Sequence, residues 1–239
     1  MRTKIRKNTP SRNRMLHIRA RARIARAGLK EAQISDKYIR YSSLAPSIAR
    51  FVRDIFERVE KRELNRQLIF LGRDATIFFE TARAMKVGGT SLFLANLNNK
   101  LLQQHQTEKV VSYLQSLGID LTQPVSIIDS GQLGTCARKL SGLLKATHPK
   151  TKPGYFVFAS VQHKHSHILI EGHPEMDTTT ENPLLRIIEK IPKRIKKPTE
   201  FEKTWKGFRP REEPESRENR FLAWLAKTAV LDTLKKGKF

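Results

Sequence analysis

The chain has 239 residues, 38% of them apolar in a count that leaves out glycine, and a net charge of +23 from 46 Lys and Arg against 23 Asp and Glu. That length suits one α/β domain with extensions or two small domains, and the low apolar share leaves part of the chain outside a core. A single cysteine, Cys136, excludes an intrachain disulfide, and the lack of any run of about 18 apolar residues excludes a membrane-spanning helix.

The charge is uneven. Residues 1–30 hold eleven basic residues and no acid, almost half of the excess in an eighth of the length. Such a segment attracts polyanions, RNA or DNA above all. "MRTKIRKNTPSRNR" cannot by itself bury enough apolar area to offset chain entropy. "MLHIRARARIARAGLKEAQ" is rich in helix formers, and its arginines point to several faces, which suits a helix in a nucleic-acid groove better than one packed on a core. Arg12, Arg14, Arg19, Arg21, Arg23 and Arg26 are the expected phosphate contacts. The same Arg-rich, acid-free opening also reads as an organelle transit peptide or a solvating tail. With neither a signal-peptide apolar segment nor a disulfide, a cytoplasmic location is expected.

"SLAPSIARFVRDIFERVEKRE" follows. Ile48, Phe51, Val52, Ile55, Phe56 and Val59 keep the spacing of one helical face, with Pro46 in the first turn and Ser43 as its expected cap. Strand-like and helical runs then alternate. "LIFLG" (68–72) precedes a helix over 75–86. "SLFLA" (91–95) precedes one over 100–117 closed by Gly118. "VSII" (125–128) precedes one over 134–146, and "GYFVFAS" (154–160) comes last. Apolar strands without polar alternation, joined by helices, predict a mostly parallel sheet of at least four strands with helices on both faces. After residue 161 the pattern weakens. "KIPKRIKKPTEFEKTWKGFRPREEPESREN" reads as an irregular surface segment, and "RFLAWLAKTAVLDTL" (220–234) as a final amphipathic helix. The expected organisation is a basic arm and helix over 1–39, an α/β domain over 40–192, and a basic segment with a terminal helix over 193–239.

Ligands of parallel sheets bind at strand carboxyl ends, and two polar joints fall there. At Gly72-Arg73-Asp74, Arg73 has the chemistry to clamp a phosphate, and Asp74 to cap the next helix, bind a ligand or act as a general base. In "IIDSGQLGTCARKL" (127–140), Gly131 and Gly134 permit close backbone approach, and Ser130, Gln132 and Thr135 add polar groups before a helix start that favours anions. Asp129 suits ribose hydroxyls, directly or through Mg²⁺. Blander readings stay open: Asp74 as a cap only, Arg73 paired with Asp129 across strand ends, and the Gly/Ser loop as an ordinary turn.

"FLGRDATIFFETA" and "SIIDSGQLGTCARKL…GYFVFA" resemble a pattern in the C-terminal regions of bacterial surface-polysaccharide proteins that carry a haloacid-dehalogenase-like N-terminal domain. There, "FLARDG"-type and "VDIGWxGT"-type segments precede a "GYY"-type strand. The resemblance spans roughly residues 40–190, and no strand here ends in the Asp-x-Asp pair of the dehalogenase half. The layout is also similar to type I phosphoribosyltransferases, which implies pyrophosphate at the first joint and ribose 5-phosphate at the second, with Asp129, Gly134 and Thr135 on the motif. Ser130 stands where that motif has a second acid, and the loop is about two residues shorter.

His163, His165 and His167, two apart, would share one face of a strand and could form a metal set with His173, or face a sheet edge or RNA; no metal site is assigned. Cys136 lies near a helix N-terminus, as a nucleophile or a small buried residue. Trp205, Phe208 and Trp224 interleave with Lys203, Lys206 and Arg209, as base-stacking groups or as anchors for the tail. The leading expectation is a protein that binds a phosphorylated sugar or nucleotide, with phosphoribosyltransferase-like transfer as its chemistry. The alternative is a non-catalytic nucleic-acid-binding protein working through residues 1–30.

Overall fold

The computed structural model describes residues 11–24, 29–61, 64, 66–72, 75–85, 88–103, 106–129, 134–157, 193 and 196–236. Three helices come first: α1 (Arg12–Ile24), α2 (Glu31–Ser42) and α3 (Ala45–Glu60). Then strands and helices alternate: β1 (Gln67–Leu71), α4 (Thr76–Met85), β2 (Ser91–Ala95), α5 (Thr107–Ser116), β3 (Val125–Asp129), α6 (Thr135–Thr147) and β4 (Gly154–Val157). The hairpin strands β5 (Phe201–Thr204) and β6 (Gly207–Pro210) and the helix α7 (Arg217–Lys235) complete the described elements.

The central sheet is parallel throughout, in the order β2-β1-β3-β4. Its apolar runs follow from double-sided burial. Leu68, Phe70 and Ile128 face one hydrophobic cluster, and Ile69, Leu71, Val125 and Ile127 face the other. In a strand, neighbours point to opposite faces, so burial of both faces demands apolar residues in succession. Helix α4 gives Ile77, Phe78 and Ala82 to the first cluster, while α5 and α6 give Val110, Leu114, Leu140 and Leu144 to the second. The chain moves outward from β1 to β2, then turns back past β1 to β3. That reversal is what puts the later crossover helices on the opposite face.

Two boundaries differ from the sequence reading. Ser43 is the C-cap of α2, its hydroxyl donating to the Arg40 carbonyl at 2.7 Å, and Leu44 stands at the start of α3. Helices α2 and α3 are separated by two residues only, so the hydroxyl closes the first instead of opening the second. Helix α5 begins at Thr107, later than the expected residue 100, because the Asn98 side chain accepts from the N–H groups of Lys100 (2.9 Å) and Leu101 (3.3 Å) and holds a tight turn instead. Gly118, at φ +84°, closes α5 as expected.

The expected divisions near residues 40 and 193 do not separate cores. Ile18 of α1, Ile34 and Tyr38 of α2, and Phe221, Leu225 and Val230 of α7 are buried in one cluster with α3, α4, Leu68, Phe70 and Ile128. Helix α7 packs on α3 and α4, and α1 and α2 pack against α7. They are tied by a polar network in which the Arg14 guanidinium donates to both Asp232 carboxylate oxygens at 2.6 and 2.8 Å and the Tyr38 hydroxyl donates to Asp232 Oδ2 at 2.8 Å. Burial, then the neighbouring carboxylate, pushes the Tyr38 hydroxyl pKa up, so it stays a donor.

The segment expected to be irregular carries the β5–β6 hairpin, antiparallel with Thr204 opposite Gly207. An isolated hairpin is marginal in water, and this one is mounted on α5. Phe201 packs against Tyr113 with ring centroids 6.3 Å apart, and the Phe208 N–H donates to Ser112 Oγ at 3.3 Å. Gly207 has φ +116°, and a Cβ there would stand 2.3 Å from Ser112 Oγ, so only glycine allows this approach.

Candidate functional site

The sheet order reverses between β1 and β3, so their carboxyl ends are the switch point at which open α/β sheets bind ligands. Leu71 and Asp129, the last residues of these strands, are register partners. The two strand ends that precede the polar joints are therefore neighbours. Gly72 (φ +77°) turns the chain sharply there; its N–H donates to the Ala95 carbonyl at 2.7 Å, and a Cβ would lie 3.3 Å from the Leu97 carbonyl oxygen. Arg73, Asp74, Ser130, Gly131 and Gln132 lie outside the described residues, bracketed by Gly72 and Ala75 and by Asp129 and Gly134.

Asp129 is 6% exposed, and its Oδ2 accepts from the Ala137 N–H at 3.3 Å. Ala137 lies in the first turn of α6, whose cap residue, Gly134, is left-handed (φ 56°) and has no side chain to offer. The strand-end carboxylate thus caps the next helix from across the loop. Thr135 is the first helical residue and is half-buried. At the other joint, the Phe79 N–H donates to the Ala75 carbonyl at 3.0 Å, so the cap position of α4 falls on Ala75, one residue after the expected Asp74.

A third joint escaped the sequence reading. "NLNNK" (96–100) follows β2, and Asn98 is buried, its amide donating to the Pro198 carbonyl at 2.7 Å. The Asn96 amide donates to Glu212, and the Asn96 N–H donates to the Tyr113 hydroxyl at 3.1 Å. These bonds bring residues 196–212 over the carboxyl edge of the sheet. Three asparagines directly after an apolar strand were the available signal, by the same strand-end rule that selected the other joints.

Cys136 meets all three elements. Burial first, and then the Asp129 charge, push its thiol pKa up to about 11, against opposing pulls from Lys197, the Asn99 N–H and Lys139. A raised thiol pKa keeps the neutral form through neutral pH, so the nucleophile reading loses its chemistry. Alkylation of Cys136 at pH 8 is expected to run about 100-fold slower than for a thiol of ordinary pKa and to keep rising about tenfold per pH unit up to about pH 11. A rate profile that breaks below pH 9 would contradict this environment. Lys197 and Lys139, both exposed, leave a cationic rim here suited to an anionic ligand.

The expected nucleic-acid arginines are partly engaged. One face of α1 packs on the core through Ile18 and Ala22, which corrects the expectation of a helix standing off it. Arg14 pairs with Asp232, Arg19 with Glu31, and Arg21 lies 4.5 Å over the Trp224 ring. Arg26 and the side chains of Arg12 and Arg23 lie outside the described residues, as do His163, His165, His167 and His173. Among the described residues no cluster of three His, Cys, Asp or Glu could hold a metal ion, and no helix is long and apolar enough to cross a membrane.

No protein-family model and no curated protein matches this sequence.

Proposed function

We infer that the protein binds a phosphorylated sugar or nucleotide at the carboxyl ends of β1 and β3. The observation that supports this is the pairing of Leu71 with Asp129, which makes neighbours of the two strand ends that lead into the Gly-containing polar segments, at the point where the strand order reverses. In this reading Ser130, Gly131, Gln132, Gly134 and Thr135 cradle one phosphate at the start of α6, and Arg73 holds a second anionic group. Asp129 orients the cradle and faces ribose hydroxyls or a Mg²⁺ ion. Asp74 is the general base of a phosphoribosyltransferase-like transfer. The test is a thermal-shift screen with nucleotides, phosphoribosyl pyrophosphate and nucleotide-sugars, with and without Mg²⁺. Arg73→Ala and Thr135→Val are expected to lose the shift while melting like wild type in the absence of ligand. No shift with any of these ligands would reduce both loops to turns.

A second reading, nucleic-acid binding through the basic arm, keeps one observation in its favour: eleven cations and no acid in residues 1–30. Since α1 is built into the core, the fair test removes residues 1–10 only. Loss of Arg2, Lys4, Arg6 and Lys7 is expected to lower the salt slope of nucleic-acid binding by roughly 3. An unchanged slope would clear the arm of that role.

A further inference from the structure

Trp205 is 90% exposed, and the only other exposed large apolar side chain among the described residues is Leu16 at 53%. An indole this bare is unusual, because burying it is among the largest gains a fold can make. It sits with Lys206 in the two-residue connection between β5 and β6, and Lys206 Nζ lies 4.6 Å from the indole centroid. The other tip cation, Lys203, is exposed as well.

The charges along the hairpin are sorted. At its base the acids are taken: Glu202 by Arg209 at 2.5 Å, Glu200 by Arg211 at 2.7 Å, and Glu213 by Lys196 at 3.0 Å. Among the described residues no carboxylate pairs with Lys203, Lys206 or Lys109. Lys109, from α5, stands 5.8 Å from the Phe208 ring on the same hairpin. The tip is therefore an aromatic ring among unpaired cations, carried on a +23 chain. Its mount is firm, because Gly207 and Phe208 are locked to Ser112.

We propose that the β5–β6 tip binds single-stranded nucleic acid, with a base stacked on Trp205 and the flanking phosphates met by Lys203, Lys206 and Lys109. A ring with lysines around it matches the alternation of base and phosphate along a strand, and stacking needs no base identity because every base has a π-face. A protein partner fits less well. Protein hot spots use aromatics set in a packed apolar surround, and the chain neighbours of Trp205 are Thr204 and Lys206. The prior ordering of the hairpin on α5 removes part of the entropy cost of binding. This site is independent of the sugar-phosphate reading and uses none of its residues.

The test measures fluorescence anisotropy of the full chain with oligo(dT) and oligo(U) about a dozen nucleotides long, a duplex of the same length, and heparin. Trp205→Ala is expected to weaken both single strands by roughly 5- to 150-fold, while Trp205→Phe restores most of the affinity and duplex and heparin binding hold. Lys203→Gln with Lys206→Gln is expected to lower the single-strand salt slope by roughly 1.4. Melting curves check that the variants fold, which a ring this exposed does not decide. The two strands separate RNA from DNA as the source. Single-strand affinity within twofold of wild type in Trp205→Ala would overturn the proposal. So would an equal loss on single strands, duplex and heparin, or a wild-type chain that binds neither single strand.

Discussion

Ending the chain after residue 215, which removes α7, is expected to leave no cooperatively folded protein. Phe221, Leu222, Leu225 and Val230 are each no more than 5% exposed. Burying such side chains is worth about 1.5–3 kcal/mol apiece, so the four together supply roughly 6–12 kcal/mol before the partner surfaces they uncover are counted. The whole stability of a domain is about 5–15 kcal/mol. The truncation also strands Arg14 and Tyr38, whose common partner is Asp232 of α7, and removes Lys227, which pairs with Glu80 of α4 at 2.7 Å. Circular dichroism during heating and in urea is the measurement. If residues 1–215 kept a cooperative transition, the α/β part would be an independent unit, as the charge and periodicity of the sequence alone suggest.

Asp129→Ala is expected to have two separable effects. The first is on the fold: Ala137 N–H loses its acceptor, at a cost of about 1 kcal/mol, the usual worth of a helix cap. The second is on the ligand: a compound present at about 100 times its Kd should add about 2.7 kcal/mol to the wild-type protein and nothing to the variant. Asp129→Asn distinguishes them. It keeps an oxygen for the Ala137 N–H and removes the charge, so it should restore unliganded stability while still losing a Mg²⁺-dependent shift. A full ligand response in Asp129→Asn would move the carboxylate from the ligand to the loop, and Asp129 would be a capping residue alone.

The parallel sheet was legible because its signal is local. Residues such as Leu68 to Leu71, or Val125, Ile127 and Ile128 around the one buried serine, Ser126, are apolar on both faces because both faces are covered, and that pattern survives in any context. The breaks between strand and helix were legible for the same reason: Gly72, just after β1, and Gly134, at the start of α6, take positive φ. The role of Asp129 was legible only in part. Its place at a strand end follows from the sequence, but its bond to Ala137 depends on how the loop folds back.

What the chain did not disclose is long-range. The arginines of α1 look alike in sequence; packing divides them, because Ile18 and Ala22 turn one face to the core and bring Arg14 to Asp232, 218 residues away. The hairpin was hidden in a charged, proline-broken segment whose strands have little apolar periodicity, since much of what holds it is contact with Ser112 and Tyr113 of α5. By itself, then, the sequence determined the basic character, the alternation of strands and helices and the two polar joints, because composition and nearest-neighbour periodicity encode them. Only the tertiary structure decided that the ends of β1 and β3 are neighbours, that α1, α2 and α7 share one core with β1 and β3, and that one tryptophan is left in water. Those facts rest on pairings between residues far apart in the chain, which no local pattern records.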